Sequence, residues 1–188
     1  MIFVIYILGF FLYQSKVREL KNIKHQKDTE FLTMQINNTI LAGRIVDYYH
    51  GENRIVKYRT VLEAIIAIDK YLPQFFKSGK YTKKDMLAIA MIESDFGIHK
   101  DGAAGEKGLY QILDWKTYSV TIDGINDPYN INCNTYMALR VLKDKTNLHK
   151  DKKKSIIAYN GLIYDAEGDL SERYWYKFKK CRDILENF

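Results

Sequence analysis

The 188-residue chain is poor in the features that would mark several classes of protein. It has two cysteines, Cys133 and Cys181, too few for a disulfide scaffold and without the spacing of a zinc site or a redox pair. They read as two small buried hydrophobes, or as one bridge if the compartment is oxidising and the geometry allows it. Two prolines and the lack of low-complexity or repeated segments argue against a disordered or solenoid chain. No arginine-rich reading helix and no zinc-finger spacing occurs, so no nucleic-acid partner is expected despite a formal charge of +6. No apolar run reaches the length of a full bilayer-spanning helix.

What is present is a hydrophobic fraction of 47%, with fifteen tyrosines, enough for a packed core. The apolar residues recur at helical spacing, which gives a mainly α-helical fold class. Val61, Ile65, Ile68 and Leu72 fall on one face of a helix that Pro73 should end. Thr82 and Asp85 form a Thr-x-x-Asp capping pattern, and the run from Met86 to Ile92 is apolar on all sides, so this helix belongs in the middle of the domain. Four glycines, at 97, 102, 105 and 108, then make a loop or a small β-hairpin bordering a groove. A further helix should follow Asn126-Asp127-Pro128, and Tyr174, Phe178, Cys181 and Leu185 mark the face of a last helix, capped near Ser171.

The first thirteen residues carry no charged side chain and are followed by Lys16, Arg18, Lys21, Lys24 and Lys27. As a helix they reach about 20 Å, against about 30 Å of hydrocarbon. Residues 1–15 therefore read as an apolar membrane anchor helix or signal-like segment, 16–50 as a helical stalk or linker with apolar positions at Ile36, Ile40, Ile45 and Tyr48, and 51–188 as the functional domain. The cations following the apolar segment would hold the chain in the cytoplasm under the positive-inside rule. The charge run Lys150 to Lys154 reads as a solvated loop or helix face.

Chemistry concentrates at Glu93. A carboxylate at the end of an all-apolar helix, beside a glycine-rich loop, is costly to keep ionised, so its pKa should rise toward the range of a general acid. On that ground alone a structural hydrogen-bond network is the better reading. Four short segments decide between them: Ile92-Glu93-Ser94-Asp95-Phe96, Gly105-Glu106-Lys107-Gly108-Leu109-Tyr110-Gln111, Asp127-Pro128-Tyr129-Asn130-Ile131 and Ala158-Tyr159-Asn160-Gly161. Their order and spacing resemble the soluble lytic transglycosylase (SLT) domain family of the lysozyme-like superfamily, over roughly residues 60–165.

The resemblance implies a lysozyme-like fold that cuts the MurNAc-GlcNAc β-1,4 bond of peptidoglycan and leaves a 1,6-anhydro end, with no cofactor and no metal. By the same resemblance Glu93 is the catalytic acid and base, and Ser94 orients it or the acetamido group of the sugar. Gly108, Leu109, Tyr110 and Gln111 form the substrate loop, and Tyr159 and Asn160 line the site. The chain departs from the pattern where Gly102 replaces a frequent Ser, Glu106 an Ala, Tyr110 a Met and Asn134 a Gly; Tyr110 is then expected to stack on a sugar ring. Rival readings are a hydrolytic muramidase, with Asp95, Asp101, Asp114 or Asp123 holding a water, and a non-catalytic peptidoglycan-binding membrane protein. Expected partners are glycan strands, a membrane through residues 1–15, and a cell-envelope assembly or phage particle. The chain would then be membrane-anchored and facing the wall, or part of such a particle.

Overall fold

Helix α3, Lys83–Ser94, shows why the fold is helical. Its residues from Met86 to Met91 are buried on every side, so the rest of the domain must surround it. The expected capping box is formed: Thr82 Oγ1 accepts from the Asp85 N–H at 3.3 Å, and Asp85 Oδ2 accepts from the Thr82 N–H at 2.8 Å. A computed structural model describes residues 2–161 and 172–188, with side chains from residue 14 onward. Ser171, the expected cap of the last helix, lies outside the described residues.

The chain divides into two units, Met1–Ile40 and Leu41–Phe188. Helix α1, Ile2–Gly51, begins in the first. Between residues 14 and 40 its large apolar side chains, among them Leu20, Phe31, Leu32, Ile36 and Ile40, are exposed. Local pairs such as Lys16 with Glu19 and Gln26 with Glu30 line its polar face. Among the described residues no helix is long and apolar enough to cross a membrane. The side chains of 1–13, where an anchor was expected, lie outside that description.

The second unit takes in the end of α1, because Ala42, Ile45 and Tyr49 are buried in its core. It therefore starts at Leu41, N-terminal of the expected boundary at 51. Helix α2 (Tyr58–Phe75) packs on α5 (Ile131–His149), α3 packs on α7 (Glu172–Glu186), and α6 (Lys152–Tyr159) bridges α5 and α7. A single turn, α4 (Trp115–Tyr118), leans on α5. Pro73 does not end α2 as expected. It sits inside the helix, whose last turn runs on to Phe75.

The glycine-rich segment is a loop. Among the described residues it contains isolated bridges, Asp101 with Lys107 and Lys107 with Ile112, and no strand, so the alternative of a small hairpin does not hold. Cys133 and Cys181 are both free thiols. Of the expected solvated run 150–154, Lys150 closes α5, Asp151 caps α6 and Lys152 to Lys154 form its first turn, from which Lys152 reaches inward to the buried Asp85 at 2.8 Å.

Candidate active site

Helix α3 ends abruptly after Glu93-Ser94, since Asp95 (φ 53°) and Phe96 (φ 60°) both adopt the left-handed conformation that bulky residues avoid. Three contacts hold this turn. Asp95 pairs with Arg54 and accepts from the Tyr49 hydroxyl at 3.2 Å, while Phe96 is buried edge-on against Tyr49. The chain reversal presents the Glu93 side chain to a cavity of about 330 Å³.

That cavity is lined on the loop side by Glu106, Gln111, Ile112, Leu113 and Asp114, on the α4 and α5 side by Tyr118, Val141 and Lys145, and on the α6 side by Tyr159, Asn160 and Gly161. Burial pushes the Glu93 carboxyl from its ordinary 4.5 up to about 7. The Tyr174 hydroxyl, donating to Glu93 Oε1 at 2.6 Å, and the cations Lys100 and Lys177 act against that rise, while the charge of Glu106 adds to it. Lys100 also donates to the Glu93 carbonyl at 3.1 Å, which tethers it over the end of the helix.

The loop owes its shape to Gly108 and Asn134. At φ +76° Gly108 lies in the region that favours glycine, and a Cβ there would press on the Pro128 carbonyl and stand 2.6 Å from Asn134 Nδ2. Asn134, fully buried on α5, accepts from the Tyr110 N–H at 2.8 Å and donates to the carbonyls of Pro128 at 2.8 Å and Lys107 at 3.1 Å. One amide thus ties the loop to the Asp127-Pro128 turn through three backbone groups, two of them buried.

No family model, curated protein or solved structure matches this chain.

The site therefore stands on its own geometry. Of the eight site residues expected from sequence, Glu93, Gln111, Tyr159 and Asn160 line one cavity. The other four lie behind it. Ser94 is buried, and its hydroxyl donates to the Leu109 carbonyl at 2.6 Å, so it fastens the loop to α3 and has no lone face toward a sugar. Gly108 and Leu109 are buried in the loop's own fold. Tyr110 is fully buried beside Thr135 of α5, with no exposed ring to stack on a saccharide.

Tyr159 donates to the Tyr110 carbonyl at 3.0 Å, and burial together with the nearby Glu93 charge holds its phenol well above the usual range. It stays a neutral donor beside the carboxylate. Among the described residues no three His, Cys, Asp or Glu side chains are grouped as a metal ion requires.

Two contributors were not read from the sequence. Tyr174, at the start of α7, is visible there only as part of an apolar helix face; its hydroxyl is the one that reaches Glu93. Glu106 was read as a departure, and it lies in the cavity with Glu93. Of the carboxylates expected to hold a water, Asp95 and Asp101 are committed elsewhere, Asp95 to Arg54 and Asp101 to Lys107 and Tyr129. Asp114 caps α4 through the Thr117 N–H, at the rim of the cavity.

Proposed function

We propose that this chain is a peptidoglycan lytic transglycosylase of lysozyme-like fold, with Glu93 as its acid and base. The observation that carries the reading is a half-buried carboxyl at a groove, shifted to about 7, in the company of Gln111, Tyr159 and Asn160. A group with that pKa is protonated often enough near neutrality to give up a proton and ionised often enough to take one back. In the proposed reaction Glu93 protonates the oxygen bridging N-acetylmuramic acid and N-acetylglucosamine. The acetamido group of the muramyl residue stabilises the cationic carbon, and Glu93 then accepts the proton of the 6-hydroxyl as that oxygen closes the 1,6-anhydro ring. Tyr174 holds the carboxyl in one orientation, and Asn160 together with Gln111 Oε1, whose amide nitrogen is committed to the Lys100 and Gly108 carbonyls, offers hydrogen bonds to the saccharide.

The same reading puts the apolar residues 1–15 at a membrane; because the cations after them favour the cytoplasmic side, the enzyme reaches the wall either with that bias overridden or by another route, as part of a phage particle or through a lesion in the membrane. The test is incubation of the full chain with purified peptidoglycan, alongside Glu93→Gln, with the released muropeptides identified by mass. Products one water lighter than hydrolytic muropeptides, absent with the variant, support the proposal. A folded wild-type chain that releases nothing refutes it.

A further inference from the structure

The sequence departs from the resembled pattern at Gly102 and Glu106, and the structure makes the two departures one feature. The Glu106 carboxylate occupies the space that a side chain at 102 would need: a Cβ built on Gly102 runs into Glu106 Oε2 and its carboxyl carbon and comes within 2.9 Å of Gln111 Oε1. The backbone N–H of Ala104 donates to Glu106 Oε2 at 3.0 Å and fixes the group there. Glu106 is half-buried, lines the cavity that Glu93 lines, and is close enough for its charge to act on Glu93. Asp114, the other carboxylate at that cavity, is exposed and caps a helix turn through the Thr117 N–H.

Glycosidic bonds are hydrolysed by pairs of carboxyl groups flanking the bond, one giving a proton to the leaving oxygen and one activating water. We propose that Glu106, seated by Gly102, is the second of such a pair and gives the enzyme a hydrolytic branch beside anhydro-ring formation. The proposal rests on the glycan-cutting reading of Glu93. In this branch Glu93 gives its proton to the bridging oxygen, which leaves with the electron pair of the bond to C1. A water molecule adds through its oxygen to C1, and Glu106 takes the proton that the water loses. Solvent returns a proton to Glu93 and removes one from Glu106. The net change is one water added and two chain ends formed, one of them reducing, where the internal route adds none.

The test is the ratio of reducing to anhydro ends released from purified peptidoglycan by the full chain, read by mass after borohydride reduction, which converts reducing ends alone to alditols. Wild type should give both ends. Glu106→Gln, which keeps an oxygen for the Ala104 N–H but cannot accept the water's proton, should lower the ratio at least tenfold. Gly102→Ser should lower it as well, by pushing the carboxylate from its seat, with melting curves checking that both variants fold. Anhydro ends alone from wild type, or a ratio unchanged in folded Glu106→Gln, overturns the proposal. Release of neither end by wild type would instead sink the glycan-cutting reading on which it rests.

Discussion

Helix α3 carries a carboxylate near each end, and the two are buried in opposite ways. Asp85, in the first turn, is 1% exposed yet its charge is met: the Thr82 N–H and Lys152 Nζ reach Oδ2 and Arg182 Nε forms an ion pair with Oδ1, all within 2.9 Å, and the helix N-terminus favours its charge. Glu93, in the last turn, has one hydroxyl from Tyr174, lies where the helix dipole disfavours an anion, and is pushed to about 7. Burial alone thus does not make a carboxyl reactive. The cations that converge on Asp85 from α6 and α7 turn burial into a structural clamp, and their absence from direct contact with the Glu93 carboxylate leaves a proton that can move.

The largest effect expected at either end is chemical. If the proposed reaction holds, Glu93→Gln should lower glycan release by a factor of about 10³ or more, since a positioned general acid contributes on the order of 10²–10⁴ and in that reaction serves two steps. The matching change at the other end should act on stability. Asp85→Ala leaves Lys152 and Arg182 without their shared partner and should cost about 3–5 kcal/mol in chemical denaturation. An equal loss of stability in both variants would break the contrast between the two ends.

The contrast sharpens with pH. Glu93 is raised in the folded protein from 4.5 to about 7, so its contribution to stability is fully present below pH 4.5 and is lost as pH rises through about 7. That shift corresponds to about 3 kcal/mol, which partial exposure to solvent reduces to about 2 kcal/mol. Glu93→Gln, having no proton to lose, should therefore be more stable than wild type at pH 8 by about 2 kcal/mol, with this pH-dependent gain absent at pH 4. Denaturant melts at the two pH values check it, and no relative gain at pH 8 would mean that Glu93 is solvated after all. The smallest effect belongs to Tyr174→Phe. Its hydroxyl favours the ionised carboxyl, so its removal should move the alkaline limb of the rate–pH profile upward and change stability by about 1 kcal/mol. A limb that stays in place would show that the tyrosine packs without tuning.

The elements written in local pattern were the legible ones. The capping box at Thr82 and Asp85, the all-apolar run after it and the glycine-rich loop each follow from residues within a few positions of one another, and each is formed. Glu93, Gln111, Tyr159 and Asn160 could be assigned together only through the resemblance of four separated segments. Tyr174 could not be assigned, because the hydrogen bond that matters spans 81 residues and its spacing on α7 is that of any packed aromatic. The direction of Tyr110 was also unreadable: whether a ring in a loop faces solvent or core depends on what lies beneath the loop, here α5 with Thr135 and Asn134. Pro73 deceived for a related reason. Its effect depends on how the end of α2 packs, and the helix closes with the Phe76 N–H donating to the Leu72 carbonyl at 3.0 Å.

Asn134 has a consequence for anyone who would redesign the groove. The loop's shape is not encoded by the loop alone, for the amide that fastens its backbone sits 24 residues from Tyr110, on a different helix. Residues 101–112 are therefore not a portable cassette. Grafted onto another scaffold without an asparagine beneath them they would lose their register, and a library that varies the loop while holding Asn134 fixed would search shapes the scaffold can still grip.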